Sequence, residues 1–253
     1  MRPIAILQHE STQGPGVLLD HLDKHHLPYR RICPAWDGSA PVDASQFSGI
    51  VVLGSDHCVN ETLPWICDEL ALLQDAVRRD VPVLGHCFGA QMLARAMGAK
   101  VSRNSCPNIG WSPIWVTPPA QHRMGLPRQV SIFNWHYDTF EIPPGATRTM
   151  YGSHCLNKGF LRGRHWAFQG HLEVTEASVR DWCAVGRAEL RRAHGPAAQS
   201  EAQILKQLHD RIEALHLVAE QTYHAWTRQL DRPILVGLGF GDIDCCRLAN
   251  GAG

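Results

Sequence analysis

A cysteine flanked at two residues on each side by glycine, Gly85-His86-Cys87-Phe88-Gly89, stands where an apolar run ends and a helical pattern begins. Val81, Val83 and Leu84 read as a short buried strand, while Met92, Leu93, Ala96 and Met97 recur at helical spacing until Gly98 offers a stop. A chain that turns so sharply lifts the side chain at the bend clear of the backbone, and glycines on both sides give it room; this is the cysteine version of the G-x-S-x-G elbow. The sulfur would also lie at a helix N-terminus, where unpaired N–H groups and the macrodipole favour thiolate. The alternative is a structural cysteine closing a sheet strand, since free cysteines are commonly buried.

A thiolate that forms an acyl intermediate needs a base, and a group that orients the base. In "WAFQGHLEVTEA", residues 166–177, an apolar strand runs into His171 and then Glu173. One residue apart at a strand end, the two could project to the same side, with Glu173 fixing the tautomer of His171. The chain holds fifteen histidines, so a His-x-Glu pair alone selects little.

The elements that must position these residues follow from periodicity. Residues 2–8, 29–33 and 49–53 read as strands, 16–26 and 65–79 as helices, and the second helix feeds the strand before Cys87. This alternation predicts a parallel sheet with helices on both faces. After Gly98 short strands over 109–116, 130–135, 148–151 and 166–169 alternate with Pro- and Gly-rich turns, predicting antiparallel strands that extend the same sheet. From Thr175 helix returns. Ser200 followed by Gln203 is a capping-box pattern, and Ile204, Leu208, Ile212, Leu215 and Ala219 continue one apolar stripe, predicting a single long helix before Pro233. Residues 187–199 read as a loop or linker. The apolar face of the long helix would pack on its own domain, form a homodimer or receive a synthetase.

Five segments in order, "VVLGSDHCVNETLPW" (51–65), "VPVLGHCFGAQMLARAMGAKV" (81–101), "IGWSPI" (109–114), "NWHYDTFEIPPGA" (134–146) and "FQGHLEVT" (168–175), make residues 4–175 resemble the class I, triad-type glutamine amidotransferases, especially the glutaminase domain of GMP synthase and its stand-alone relatives. The resemblance implies a three-layer α/β/α, flavodoxin-like fold with a mixed, mainly parallel central sheet. The expected organisation is a catalytic domain over 1–186 and a C-terminal helical extension and tail over 187–253 packed on it. The resemblance also implies Cys87 as nucleophile, His171 as base and Glu173 as its partner, with a glutamine or γ-glutamyl small molecule as substrate and a γ-glutamyl thioester as intermediate. The oxyanion would be held by the backbone N–H of Phe88 and one from the Gly54-Ser55 turn. Gln91, one helical turn after Cys87, would bind substrate glutamine, and the backbone around Tyr137 its amino-acid end. Three departures stand out: Gly54-Ser55-Asp56 replaces the family's usual Gly-Gly-Pro, Tyr137 stands where glycine is frequent, and Gly170-His171-Leu172-Glu173 replaces the familiar Phe-His-Pro-Glu while keeping both polar members. No pyrophosphatase loop or P-loop follows, so any ammonia acceptor would be handled by a separate synthetase. A γ-glutamyl hydrolase or peptidase using the same residues, and a catalytically weak regulatory protein, are the competing readings.

Lys plus Arg and Asp plus Glu number 24 each, which gives no net field toward nucleic acid or an anionic membrane. The first residues lack the apolar core of a signal peptide, no apolar run reaches membrane-spanning length, and nine irregularly spaced cysteines suit a reducing compartment. A cytoplasmic location is expected. Cys245-Cys246 lacks C-x-x-C spacing, and the glycine rhythm over 236–242 is not G-x-G-x-x-G, so neither metal nor cofactor is expected. His25 and His26 read as solvent-facing at a helix end, and Trp65, Trp111, Trp135 and Trp166 as packing residues.

Overall fold

A computed structural model describes residues 1–230. The expectations for the paired cysteines at 245–246 and for the glycine rhythm at 236–242 lie outside the described residues. Four short segments, β1 (Ile4–Leu7), β2 (Tyr29–Ile32), β3 (Gly49–Val52) and β4 (Val83–His86), form parallel strands. They alternate with α1 (Val17–Lys24), α2 (Pro34–Asp37) and α3 (Pro64–Arg78). Helix α4 (Phe88–Ala96) starts immediately after Cys87. There follow β5 (Val101–Val116), α5 (Pro118–Met124), β6 (Gln129–Phe140), β7 (Thr147–Tyr151), β8 (Gly159–Arg162) and β9 (His165–Phe168).

All nine strands share one sheet in the order β2-β1-β3-β4-β9-β8-β7-β5-β6. The first five run parallel and the rest pair antiparallel, which is the mixed sheet expected. Strand pleat sends alternate residues to opposite layers. Ile4, Ile6, Val51 and Leu84 join the core under α1, whereas Ala5, Leu7, Ile50, Val52 and Val83 pack toward α3 and α4. The carboxyl ends of β1, β3, β4 and β9 therefore meet on one edge, where doubly wound sheets place their ligands.

The C-terminal part corrects two expectations. Residues 187–199 do not form a free linker: α7 (Arg187–Arg192) lies within them, and Ile109 of β5 hydrogen bonds on both sides to Ala197 and Gln199, at 2.9 and 3.0 Å. The Gln199 amide also clips the backbone N–H and C=O of Trp111 at 2.9 and 3.0 Å, which satisfies the strand's outward polar groups. The single long helix is two. The capping box of Ser200 and Gln203 opens α8 (Glu201–Leu205), the chain kinks at Gln207 with φ +53°, and α9 (Leu208–Thr227) continues. Helix α6 (Glu176–Val185), capped by Thr175, precedes them. The kink turns Leu215, Ala219, Tyr223 and Trp226 onto the layer that holds Ile4 and Leu22. Among the described residues no helix is long and apolar enough to cross a membrane.

Candidate functional site

Cys87 caps α4 at φ +50°, ψ −107°, a backbone region that L-residues seldom occupy, and its N–H donates to Phe168 O at 2.8 Å. The flanking glycines are required sterically. A Cβ on Gly85 would meet the Gly89 carbonyl oxygen at 2.5 Å, and one on Gly89 would drive into the Val52 carbonyl. The Phe88 N–H is among those a helix start leaves without an intrahelical partner.

His171 follows β9 and is held by its own N–H donating to Phe133 O at 2.8 Å. Its Nδ1 lies 2.7 Å from Glu173 Oε1, and both side chains are buried. Burial opposes a proton on His171, but the Glu173 carboxylate and a contact with the Cys87 sulfur outweigh it and raise the imidazole above its usual value. Burial likewise opposes ionisation of Glu173, yet His171 and His86 hold its carboxyl low. A Cβ on Gly54 would strike Gln13 and approach His171 Cε1 to 3.0 Å, so this glycine allows the imidazole to reach the β3 turn. Sequence spacing thus brings Cys87, His171 and Glu173 to one edge of the sheet.

The sulfur opens on a cavity of about 430 Å³ whose wall includes Ser55, Asp56, Gln91, Trp135, Tyr137 and Glu189. His171 lines a neighbouring cleft of about 90 Å³ behind a partition shared by both, made of Ser55, Asp56, Trp135 and Glu189. Gln91 donates to Asp138 O at 3.2 Å and to Gln169 Oε1 at 3.3 Å, and Gln169 Nε2 lies 3.8 Å from the Cys87 sulfur. Tyr137 presents its ring to the Arg103 guanidinium at 4.4 Å. Burial and a hydrogen bond to Glu189 push its hydroxyl up to about 12. Asp56, departing from the family pattern, accepts from Gln13 Nε2 at 2.7 Å; burial, then Glu10 and Glu189, raise its carboxyl, a sign of crowded negative charge at the cavity mouth.

Several residues carry this edge that spacing did not single out. His9, one residue beyond Gln8 after β1, lies 2.8 Å from Glu69 Oε2 through Nε2 and 3.0 Å from Gly54 O through Nδ1. Both neighbours are acceptors, so a protonated His9 donates to each; burial opposes this, and Glu69 prevails in raising its proton affinity. Because the peptide is trans, a Gly54 C=O held toward His9 turns the Ser55 N–H to the opposite side. Lys158, 2 % exposed, donates its three protons to Asn108 Oδ1, Asn134 Oδ1 and His136 Nε2 at 2.9, 2.7 and 2.7 Å. Burial lowers this ammonium to about 8. It fixes His136 with its other nitrogen protonated, 2.9 Å from the Asp138 carbonyl that also receives Gln91. Trp135, read only as packing, lines both cavities and aims its carbonyl at the Cys87 sulfur, 3.8 Å away. Only Gln169 carried a signal, as the residue before Gly170-His171; an isolated Lys158 or His9 has none.

Among the described residues, His21, His25 and Glu220 are grouped where α1 meets α9, a juxtaposition that two separate helices conceal in sequence.

A crystal structure of a glutamine amido transferase from Methylobacillus flagellatus superposes with a TM-score of 0.89 at 36 % identity, covering 92 % of this chain and 96 % of that one. Gamma-glutamyl peptidase 4 of Arabidopsis thaliana is 31 % identical over 57 % of this chain and 62 % of its own length. A glutamine-hydrolysing GMP synthase of Bacillus velezensis is 29 % identical over 50 % of this chain, which spans 24 % of that enzyme. The chain thus spans about three-fifths of the peptidase and a quarter of the synthase. The model of the glutamine amidotransferase class-I family matches residues 33–180, a span holding the Cys87 elbow and the His171-Glu173 pair, and the chain belongs to that family.

Proposed function

We propose that this protein is a cysteine hydrolase of γ-glutamyl amides that releases ammonia from the glutamine side chain. The observation that carries the reading is the arrangement of Cys87 at a strained elbow, beside a cavity that also holds Gln91, with the His171–Glu173 pair at 2.7 Å on the same edge of the sheet. Cys87 attacks the side-chain carbonyl and its proton passes to His171. The tetrahedral oxyanion is received by the N–H groups of Phe88 and Ser55, the latter directed by the His9 clamp on Gly54. One such donor commonly lowers the barrier by about 3–4 kcal/mol. His171 then protonates the departing nitrogen, ammonia leaves, and water, activated by the same imidazole, hydrolyses the thioester to glutamate. Glu173 keeps the imidazole oriented and stabilises its cationic form.

A separate synthetase would take up the ammonia if the chain works as an amidotransferase subunit. A second reading, hydrolysis of larger γ-glutamyl compounds, is favoured by the cavity: about 430 Å³ falls in the range that holds drug-sized ligands, more than free glutamine requires.

Incubation with a glutamine-like diazo-ketone, followed by peptide mass mapping, should place one label on Cys87, and Cys87→Ser should remove it. Folded protein that resists labelling would favour a regulatory role without turnover. Comparison of glutamine with a panel of γ-glutamyl peptides then orders the two hydrolytic readings by kcat/KM.

A further inference from the structure

Helices α1 and α9 pack against each other. Where they cross, each presents two metal-binding side chains one turn apart: His21 and His25 from α1 and its cap, Glu220 and His224 from α9. His21 Nδ1 lies 2.7 Å from Glu220 Oε2, and His25 Nε2 lies 3.7 Å from Glu220 Oε1. Ligand atoms of His21, His25 and Glu220 all fall within 4.8 Å of one another. The His25 ring stands 4.5 Å from that of His21 and 5.7 Å from that of His224, centre to centre.

Two features separate this group from an ordinary surface cluster. The first is burial: His21 is 2 % exposed, so its imidazole is held in place between the two helices rather than moving freely at the surface. The second is proton placement. Thr227 commits its hydroxyl proton to the Tyr223 carbonyl at 2.8 Å, so toward His21 Nε2, at 3.4 Å, it can only accept. In the metal-free chain His21 Nδ1–H donates to Glu220 Oε2 at 2.7 Å; a cation that took Nδ1 and the carboxylate together would leave the imidazole proton on Nε2, facing the Thr227 oxygen. An outer-shell acceptor that fixes the tautomer of a ligating imidazole is the usual device. Lys24 Nζ now stands 2.8 Å from Glu220 Oε1, but its side chain is 65 % exposed and such a pair is readily given up.

We propose that His21, His25 and Glu220 form a site for a divalent cation of the zinc class, which staples α9 to α1. Two imidazoles and one carboxylate, with no thiolate, are a three-ligand donor set that leaves the fourth position of such an ion to water. The staple would bear on the elbow indirectly: Tyr223 of α9 sets its hydroxyl 3.4 Å from His86 Nε2, and His86 Nδ1 faces Glu173 Oε2 at 3.5 Å.

The test is zinc titration of the chelator-stripped full chain by calorimetry, with thermal unfolding in parallel and cobalt(II) as a spectroscopic probe. One equivalent should bind and raise Tm, and the cobalt spectrum should show tetrahedral ligand-field bands without a sulfur charge-transfer band. His25→Gln alters an exposed side chain and should weaken binding by more than about tenfold while leaving the metal-free Tm in place. Lys24→Met should preserve or strengthen binding. Absence of saturable uptake, uptake unchanged in His25→Gln, or a sulfur charge-transfer band would each overturn the proposal. None of these readouts depends on glutamine turnover.

Discussion

Cys87 holds a φ of +50° in a chain whose other non-glycine residues with positive φ, His26, Asp80 and Gln207 among those described, lie at turns and helix ends. Such a conformation costs on the order of 1–3 kcal/mol and persists only when neighbours over-determine it. Here the determinants are the hydrogen bond from Cys87 N to Phe168 O and the close approach of α4 to β3 and β4 at two glycines. Gly89→Ala is therefore expected to destabilise the fold by about 1–3 kcal/mol, as overpacking does, and to slow electrophile labelling of Cys87, because α4 must shift away from Val52. Urea midpoints and labelling rates measured on the same preparation check both effects; unchanged values would show that clearance at Gly89 does not hold the elbow. The elbow was legible because glycine, cysteine and the strand-to-helix switch are adjacent in sequence. Lys158 and His9 were not, since a buried cation or imidazole is defined by acceptors that arrive from distant strands.

At the scale of elements, the His9-Glu69 pair joins the end of β1 to α3 and holds the Gly54 carbonyl after β3. Both side chains are fully buried, so removing one partner leaves the other uncompensated; Glu69→Ala should cost about 3–5 kcal/mol. The pair also has a pH signature. His9 is raised above the ordinary histidine value of about 6.5, so its contribution is complete below that value and is lost as pH rises through the higher folded value. The stability difference between wild type and Glu69→Gln should accordingly be larger at pH 6 than at pH 9, read from urea midpoints; a gap independent of pH would mean that His9 is neutral when folded. Strands β1 and β3 were legible because burial on both faces makes them continuous apolar runs, whereas β2 is an edge strand with Arg30 and Arg31 exposed. The full lengths of β5 and β6 were not legible, because polar residues such as Asn104, Asn108 and Asp138 interrupt their pattern and find partners in other segments, and the four-residue β8 was not either. The kink at Gln207 was hidden for a related reason: the apolar stripe continues through it.

At the scale of the whole molecule, the family match ends at residue 180, yet the site and the core do not. Glu189 of α7 walls both cavities and hydrogen bonds Tyr137, and Tyr223 of α9 stands behind His86 and Glu173. Gly49 lacks the Cβ that would collide with Trp226 and Leu230, so β3 and the C-terminal helix are fitted to each other. We therefore place residues 1–186 and the following helices in one cooperative body. Trp226 is fully buried, and Trp226→Ala should cost about 3–5 kcal/mol by opening a cavity against the sheet. Truncation after residue 186 would remove Leu208, Ile212, Leu215, Ala219, Tyr223 and Trp226 from the layer that covers Ile4, Leu18 and Leu22, exposing a continuous apolar face. The truncated chain should aggregate or lose its cooperative thermal transition, and should fail to label at Cys87 although it retains Cys87, His171 and Glu173. A monodisperse fragment that melts cooperatively and labels at the full-length rate would instead make α7–α9 an appendage, and would move the origin of the elbow's rigidity back into the parallel strands alone.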